Sequence, residues 1–576
     1  MAASQSAEDL ISSISKHCTF ERLFVLIFLI AFILRFTALD LRIFHQDEAV
    51  HAWFAYNLLT QGNYVYDPVY HGPFLYYVTA GMFALFGDSD VIARIIPALC
   101  GLLLLPLVYG IFRLGYLDKK QTLVAALFLA ISPEMVYFSR FLRNDIFIVF
   151  FTLLFLVALL WYFKKKSWEY AVFAGLAAGL GMCAKENMPI VLAIFGVYVL
   201  YLLWSRKLTL PLAWKKHFVL GAAVAITLMA LFYSSFGMHP EVLAHGWIDA
   251  IVHWTSMHEA QRIGGPPYTY LLFLALYDLP ILIFAVYGCW QFVRPRSFSR
   301  RTSGAEAPDD EISDLSAKDD VASFSAKSVS SLSVHDLNSE NPNQMPAPAP
   351  VQNPIWKKAG NILKRPDAPL TFDKKREFMR FCIWWFLLSL LAYAYIGEKV
   401  PWLALHQLLP MIFVAVYHMT DRKAVIAVIV SLLLIVTTVS LVFVPGDINE
   451  PIVQVQHSAD VRTVTEWIEG TGSVAIVTDT YWPLPWYLRD TDATVKYYNK
   501  NADLSYLQNY DAGVLVYHDL ESPDTIAGFT RHEMKQAYWF SVYEQMNRLA
   551  PYYFFRDGPV GSLNWAVFVK DARTVV

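Results

Sequence analysis

The run LFVLIFLIAFILRFTAL at Leu23–Leu39 is followed, a few residues later, by FHQDEAVHA at Phe44–Ala52. The first stretch contains a single charged residue, Arg35, and is long enough to cross the hydrocarbon core of a bilayer as a helix. The second stretch places two adjacent carboxylates, Asp47 and Glu48, between two histidines. This pattern predicts a membrane helix followed by a polar cluster at one surface of the bilayer.

The composition of the whole chain is typical of a membrane protein. Of its 576 residues, 56% are hydrophobic and 16% are charged, whereas a soluble domain has about 25% charged residues. The net charge of −3 excludes a broad basic surface, so we expect no nucleic-acid partner. The five cysteines have no C-x-x-C spacing, which argues against a disulfide framework or a zinc site.

Further apolar segments follow along the chain, and most approach the length that a membrane-spanning helix needs. They are Ile92–Phe112, Thr122–Phe138, Ile146–Phe163, Tyr170–Ala184, Met188–Trp204, Phe218–Phe236, Tyr270–Phe292, Phe381–Ile396, Trp402–Met419 and Ala424–Val444. A shorter segment, Phe74–Phe86, has the length of an interfacial or re-entrant helix. We therefore predict a polytopic α-helical protein with about eleven spans and interfacial helices in its first outer loop.

The distribution of lysine and arginine gives the predicted orientation. If the N-terminus is cytoplasmic and Phe74–Phe86 does not cross, most basic loop residues lie on the inner side, as in known membrane proteins. Those inner residues are Lys119, Lys120, Lys164, Lys165, Lys166, Arg206, Lys207, Lys215, Lys216, Arg294, Arg296, Arg300, Arg301, Arg422 and Lys423. A spanning Phe74–Phe86 would reverse this bias, so we expect a multi-pass plasma-membrane protein with an outer loop at residues 40–91.

The remaining segments complete the predicted organisation. Residues 1–20 form a cytoplasmic segment, and residues 21–296 and 355–444 hold the membrane helices. Residues 297–354, rich in Ser, Asp, Ala and Pro, are predicted to be a disordered cytoplasmic linker. Residues 445–576 predict a small extracytoplasmic α/β domain. Its predicted strands are Val474–Thr478, Ala512–Tyr517 and Ala566–Lys570, and its predicted helices are Ala459–Ile468 and Arg531–Leu549.

Ionisable residues gather in the turns that this topology places outside. For Asp47 and Glu48 two interpretations remain open: a general base with a cation-binding acid, or two acids favoured by the dipole of a helix N-terminus. His71, before Gly72-Pro73, is either a site residue or an interfacial anchor.

A second outer turn holds two arginines near the start of a span, at Arg140 and Arg143, followed by Asp145. An arginine pair beside a helix N-terminus suits a phosphate or carboxylate ligand. The alternative is local pairing of Arg143 with Asp145 or Glu134.

Other outer turns contribute Arg94, Lys185, Lys399 and His406. Each alone fits a local ion pair, but together these groups predict a ring of acids and bases at one membrane face. Such a ring suits a substrate with a phosphate at headgroup depth, whereas a solute transporter would carry charges near the bilayer midplane. The loop at 237–267 also holds His253 and His258, an imperfect helical pair for a metal.

In this order, these motifs resemble the GT-C superfamily of membrane glycosyltransferases, which includes dolichyl-phosphate-mannose protein mannosyltransferases and bacterial aminoarabinose transferases of lipid A. The resemblance runs from about Phe20 to Met419. The chain is most similar to an archaeal branch associated with lipid-linked sugar flipping and N-glycosylation. Relatives usually carry Lys-Pro-Pro where this chain has His71-Gly72-Pro73.

The resemblance implies an enzyme that moves a sugar from a polyprenyl (dolichyl) phosphate to a protein, lipid or glycan acceptor, with inversion. Asp47 would be the general base, and Glu48 and Asp145 would orient the acceptor or hold a divalent cation, for which Asp47 is also a candidate ligand. The residues implied to bind substrate or phosphate are His71, Arg94, Arg140, Arg143, Lys185, Lys399 and His406. The alternative is a non-catalytic flippase, or flippase-associated protein, that binds the same membrane lipid without cleaving it.

Overall fold

The computed structural model describes residues 19–260, 264–294, 373–500, 512–540 and 546–571. The predicted linker at 297–354 and nearly all of the predicted N-terminal segment lie outside these residues. The described helices are α1 (Phe20–Phe36), α2 (Gln46–Gln61), α3 (Phe74–Phe86), α4 (Asp90–Arg113), α5 (Lys119–Ile131), α6 (Pro133–Ser139), α7 (Asn144–Lys165), α8 (Trp168–Ala184), α9 (Met188–Trp204), α10 (Trp214–Tyr233), α11 (Val242–Ala260), α12 (Thr269–Tyr277), α13 (Leu279–Val293), α14 (Lys374–Tyr395), α15 (Leu405–Ala415), α16 (Asp421–Val442), α17 (Asp460–Thr471), α18 (Leu484–Tyr487) and α19 (Leu549–Phe555).

Among these helices, five are long and apolar enough to cross a membrane, namely α4, α7, α10, α14 and α16. Two bent pairs, α5 with α6 and α12 with α13, bring the number to seven if each pair is one span. Four shorter apolar segments accompany them: α3, α8, α9 and Pro401–Ala415. The polytopic helical fold class is confirmed, while the count of about eleven spans stays a prediction.

Two predicted spans each consist of two helices that meet at a bend. Thr122–Phe138 bends by 56° between α5 and α6, where Ser132 precedes Pro133. Tyr270–Phe292 bends by 113° at Asp278, two residues before Pro280. A proline donates no backbone hydrogen bond and disfavours helical backbone in the residue before it.

The predicted span Trp402–Met419 also differs from the structure. Its first residues form a 3₁₀ turn at Pro401–Ala404, and α15 then extends for only 11 residues. The chain leaves the helix near His418, whose φ of 54° is left-handed. All residues of α15 are buried, so this short helix lies in the interior of the bundle.

Helices α8 and α10 pack at very close range through small residues. A Cβ added at Gly179 would lie 2.8 Å from the Cα of Ala225, and one added at Gly221 would lie 2.6 Å from the carbonyl oxygen of Ala171. Gly175 faces the Gly221 backbone in the same way. Small residues four positions apart let helix backbones approach in membranes. This packing fixes α8, which ends directly before Lys185.

The C-terminal region forms a six-stranded sheet with the order β1-β5-β6-β4-β2-β3. Its strands are β1 (Gln456–His457), β2 (Ser473–Val477), β3 (Thr494–Tyr497), β4 (Val514–His518), β5 (Phe529–Trp539) and β6 (Gly561–Lys570). β2 is parallel to β3 and β4, and the other pairs are antiparallel. Helix α17 buries Val461, Val464 and Ile468 in the same core as Val474 and Val516. The predicted small α/β domain is therefore confirmed.

The predicted helix Arg531–Leu549 was wrong. Residues Phe529–Trp539 instead form β5, which pairs along its length with β6 and, at its end, with β1. These partners are distant in sequence, and strand formation depends on such partners more than on local preference.

The sheet domain is tied to the first loop after α1. The imidazole of His457 lies 2.8 Å from the Phe44 carbonyl through Nδ1 and 3.0 Å from Gln46 Oε1 through Nε2. Trp486 and Tyr487 donate to the two carboxylate oxygens of Asp90, at 2.8 and 2.7 Å. The start of α2 is therefore held by the C-terminal domain.

We expect Gly175→Leu to force α8 and α10 apart, because its side chain would occupy the space of the Gly221 backbone. Overpacking of this kind costs about 1–3 kcal/mol, so the variant should show a lower Tm in detergent micelles. Gly196→Leu on α9 is the matched control, since nothing lies within 4 Å of a Cβ there. Equal Tm values for the two variants would contradict the packing.

Candidate active site

Helix α2 begins with a reciprocal cap that fixes its two acidic residues. His45 Nδ1 accepts the Asp47 N–H at 3.0 Å, and Glu48 Oε2 accepts the His45 N–H at 3.1 Å. Acidic groups in the first turn also face the positive end of the helix dipole. The two carboxylates nevertheless point to different surroundings.

Glu48 lies in a buried ion pair with Arg94. Arg94 donates from Nε to Oε1 at 2.8 Å and from Nη2 to Oε2 at 2.6 Å, and Oε1 also accepts the Leu142 N–H at 2.8 Å. Arg94 further donates to the carbonyls of Leu39 and Arg42. Glu48 and Arg94 thus join α2 and α4 to the turn before α7.

Asp47 instead lines a cavity of about 300 Å³. Its side chain is 30% exposed and accepts a hydrogen bond from Arg143 Nη1. Burial is the largest single effect and would raise the pKa of the Asp47 carboxyl, but the Arg143 guanidinium and three nearby histidines together outweigh burial and lower the pKa below its ordinary value. Asp47 therefore stays ionised at neutral pH beside open space.

Arg143 supplies the positive charge among the described residues that line this cavity. Its guanidinium lies 3.7 Å above the Trp402 ring, which restricts it to one plane. Its Nε is also 3.4 Å from Asp145 Oδ2. The predicted pairing of Arg143 with Asp145 thus occurs together with its contact to Asp47.

Asp145 belongs to a buried cluster that does not line the cavity. Lys185 Nζ lies 2.9 and 3.0 Å from its two oxygens, and His406 Nε2 lies 3.4 Å from Oδ1. The His406 ring stacks on Tyr393, with centroids 5.1 Å apart. Asp145, Lys185 and His406, three predicted residues from distant parts of the chain, therefore contact one another. Through Asp145 this buried cluster also contacts Arg143.

His71 reaches the cavity from the turn before α3. Its Nδ1 lies 3.1 Å from Glu186 Oε2. The adjacent Gly72 lies so close to the end of α8 that a Cβ there would be 2.9 Å from the carbonyl carbon of Ala184. Burial and Lys185 lower the pKa of His71, although Glu186 opposes them. His71 is therefore neutral at neutral pH.

Lys399 and Arg140, both predicted to bind phosphate, lie against helix ends. Lys399 donates to the carbonyls of Tyr393 and Ala394 at 3.0 and 2.9 Å, at the end of α14.

Arg140 donates to four carbonyls that follow the end of α1 or belong to it, including Thr37 and Ala38 at 2.6 Å. Neither side chain lines the cavity that Asp47 faces.

Several cavity residues were not among the predicted site residues. His51 follows Asp47 by four positions on α2, a helical spacing that could have identified it. Trp254 comes from α11, and Trp482 comes from the C-terminal domain. No local pattern indicates that these two tryptophans meet Asp47.

Among the described residues, no three His, Cys, Asp or Glu side chains come together in a way that could hold a metal ion. Asp47, Glu48 and Asp145 each have a cationic partner instead. His258, one of the imperfect pair, accepts the Gly397 N–H through Nδ1 at 3.0 Å.

Comparison with known proteins gives this geometry a wider context. The sequence profile of the dolichyl-phosphate-mannose-protein mannosyltransferases matches residues 70–233, less than a third of the chain. No curated protein sequence matches. The apo structure of ArnT from Cupriavidus metallidurans aligns with a TM-score of 0.52 and 13% identity, covering 94% of this chain and 97% of that chain.

The structure of the same ArnT bound to undecaprenyl phosphate gives a TM-score of 0.54 at 13% identity, over 95% of this chain and 98% of that chain. This chain has the GT-C fold. The apo oligosaccharyltransferase of Archaeoglobus fulgidus is also similar, with a TM-score of 0.46 and 14% identity over 87% of this chain and 69% of that chain. The GT-C alignment with ArnT covers the membrane region and the C-terminal domain alike.

We expect Glu48→Gln to be mainly a folding defect. Breaking a buried ion pair costs about 3–5 kcal/mol, because the partner charge is left unpaired. Thermal unfolding in detergent should show a clear loss of stability for Glu48→Gln. Asp47→Asn is the matched comparison and should lose less stability, since the Asp47 side chain is 30% exposed and Arg143 keeps its contact with Asp145. A larger loss of stability for Asp47→Asn than for Glu48→Gln would contradict the assignment of Glu48 as the structural acid.

Proposed function

We propose that this protein is a membrane glycosyltransferase that transfers a sugar from a polyprenyl-phosphate donor to an acceptor at the outer membrane face. The GT-C fold supports this proposal, as does the similarity to a structure of ArnT bound to undecaprenyl phosphate. The matched mannosyltransferase profile covers the turns that carry His71, Arg143 and Lys185. The donor class fits a site next to apolar helices, because a lipid-borne sugar reaches it from the bilayer.

One observation carries the proposal. Of the three predicted catalytic carboxylates, Asp47 lines the cavity, whereas Glu48 and Asp145 are buried in other ion pairs. An ionised carboxylate in a cavity of about 300 Å³ can accept a proton from a bound hydroxyl. Asp47 is therefore the group we assign as general base.

The proposed reaction is a single inverting displacement. The acceptor hydroxyl oxygen attacks the anomeric carbon while Asp47 takes its proton. The bond from that carbon to the phosphate oxygen breaks, and its electron pair stays on the phosphate. Arg143 then faces the growing negative charge, and a fixed guanidinium stabilises such charge without reorganisation.

The surroundings of Arg143 support this role. Its stacking on Trp402 and its contact with Asp145 hold the guanidinium in place. Asp145 is in turn neutralised by Lys185, and Asp47, the other partner of Arg143, becomes neutral when it takes the proton, so the Arg143 charge then faces the phosphate. Two aromatic walls, Trp254 and Trp482, offer flat apolar faces for a sugar ring.

We expect Asp47→Asn to reduce transfer about 10²–10⁴-fold, the range that general bases contribute. Purified protein in detergent would be assayed with radiolabelled polyprenyl-phosphate sugars and candidate acceptors. Asp492→Asn, at an exposed position of the C-terminal domain, is the control that should stay active.

Unchanged transfer by Asp47→Asn would remove this residue from the base role. A wild-type protein that transfers no sugar from any donor, but moves the donor between leaflets of liposomes, would favour the flippase alternative. These two results are independent, because the second needs no acceptor.

We expect Arg143→Gln to move the acidic limb of the kcat/KM profile to higher pH. Burial raises the pKa of Asp47, and Arg143 is the largest of the effects that lower it, so removal of the guanidinium lets the pKa rise. Arg143→Lys retains the charge and should keep the limb near its wild-type position. Identical profiles for the glutamine and lysine variants would contradict the electrostatic coupling.

A further inference from the structure

His51 is a second polar group on the cavity side of α2, one helical turn beyond Asp47. It lines the same cavity, and its side chain packs beside the ring of Tyr76. Only 4% of the residue is exposed. The proposed mechanism gives His51 no role, although Asp47 and His71 line the same cavity.

The hydrogen bonds of His51 determine its tautomer. The Tyr76 hydroxyl lies 2.7 Å from the Tyr70 carbonyl, which can only accept, so the tyrosine proton points there. The same hydroxyl lies 2.8 Å from His51 Nδ1 and has only its lone pairs left for that contact. His51 Nδ1 must therefore carry the hydrogen and donate to Tyr76.

It follows that Nε2 carries a lone pair. This atom is buried and has no hydrogen-bond partner among the described residues. A buried acceptor without a donor is unfavourable, so native proteins rarely leave one unsatisfied. Burial and Arg143 also lower the pKa of His51 to about 3, which keeps the ring neutral. The site thus contains an acceptor for which no described residue supplies a donor.

The chemistry of the reaction restricts what that donor can be. An ionised phosphate has no hydrogen to give, so its oxygens would repel the Nε2 lone pair. The acceptor hydroxyl has one hydrogen, and the proposed mechanism delivers it to Asp47. The hydroxyl groups of the transferred sugar remain, and they are the donors that lie next to the anomeric carbon.

We propose that His51 Nε2 accepts a hydrogen bond from a hydroxyl group of the transferred sugar, which makes His51 a sugar-specificity residue. The inference rests on the proposed function. It adds the substrate group that the site recognises: a ring hydroxyl beside the reacting carbon. A site built to accept such a hydrogen bond discriminates strongly against an analogue that lacks the hydroxyl.

Two substitutions separate the two nitrogens of His51. In His51→Asn, the side-chain amide occupies the place of Nδ1 and can still donate to Tyr76, but the acceptor at Nε2 is lost. In His51→Gln, the longer side chain can place its carbonyl oxygen near the position of Nε2. His245→Asn, at an exposed histidine of α11 whose side chain is 58% exposed, controls for the substitution itself.

The experiment measures equilibrium binding of radiolabelled polyprenyl-phosphate sugar to purified protein, beside sugar-free polyprenyl phosphate. His51→Asn should bind the sugar-bearing donor roughly 10- to 100-fold more weakly than wild type, the effect of one unsatisfied buried group. His51→Gln should stay within about threefold of wild type, because an acceptor oxygen is restored. Sugar-free lipid should bind equally to all variants.

A series of monodeoxy sugar donors identifies the hydroxyl. One deoxy donor should bind wild type as weakly as the complete donor binds His51→Asn, and His51→Asn should not distinguish the two. The proposal is overturned if His51→Asn binds the complete donor like wild type. It is also overturned if that variant loses sugar-free lipid to the same extent, which would indicate a structural role.

The outcomes separate this proposal from the proposed function. Sugar-dependent binding that needs His51, in a protein that transfers no sugar, would support the contact and reject the enzyme. Transfer that needs Asp47, with donor binding indifferent to His51→Asn, would support the enzyme and reject the contact. A water molecule as the partner of Nε2 would give that second result.

Discussion

The ion pair between Glu48 and Arg94 is the contact on which the rest of the site depends. It is buried, and its four oxygen contacts come from Arg94, His45 and Leu142. Leu142 directly precedes Arg143, and Glu48 directly follows Asp47. This one ion pair therefore sets the distance between Asp47, the proposed base, and Arg143, the residue proposed to face the phosphate. Charges buried in this way contribute little net stability, but removing one partner is strongly unfavourable. The pair is better understood as a fixed point of the architecture.

The polar residues at this end of the bundle divide into two groups. Lys399 and Arg140 satisfy carbonyls at helix ends, where an apolar environment would otherwise leave those carbonyls without donors. Asp47, His71, His51 and Arg143 line the cavity. Asp145, Lys185 and His406 lie between the groups and neutralise one another. A membrane protein uses some cations to satisfy the carbonyls at its own helix ends. The predicted ring of acids and bases therefore contains more residues than line the cavity.

The sequence predicted the helical class and the small C-terminal domain, because hydropathy and its periodicity are local signals, and it left the pairing of Arg143 with Asp145 open as one of two alternatives. It failed where the outcome depends on distant partners. Residues Phe529–Trp539 become a strand through pairing with β6, and Trp482 enters the cavity through the packing of a whole domain. The breaks at Ser132 and Asp278 were hidden because apolar composition continues across both prolines. Glu48 and Asp47 are adjacent in sequence, and only their surroundings distinguish a structural acid from a candidate base.

The cavity joins the beginning of the chain to its end. Gln46 and Asp47 form part of its wall, and Trp482 closes another part from a sheet whose interior strand, β6, is Gly561–Lys570. Because β6 lies between β5 and β4, the sheet of this domain is continuous only when β6 has paired with both neighbours. The wall that Trp482 provides therefore depends on strand pairing far along the chain from Asp47, so a change in the sheet can alter a site built mainly from membrane helices.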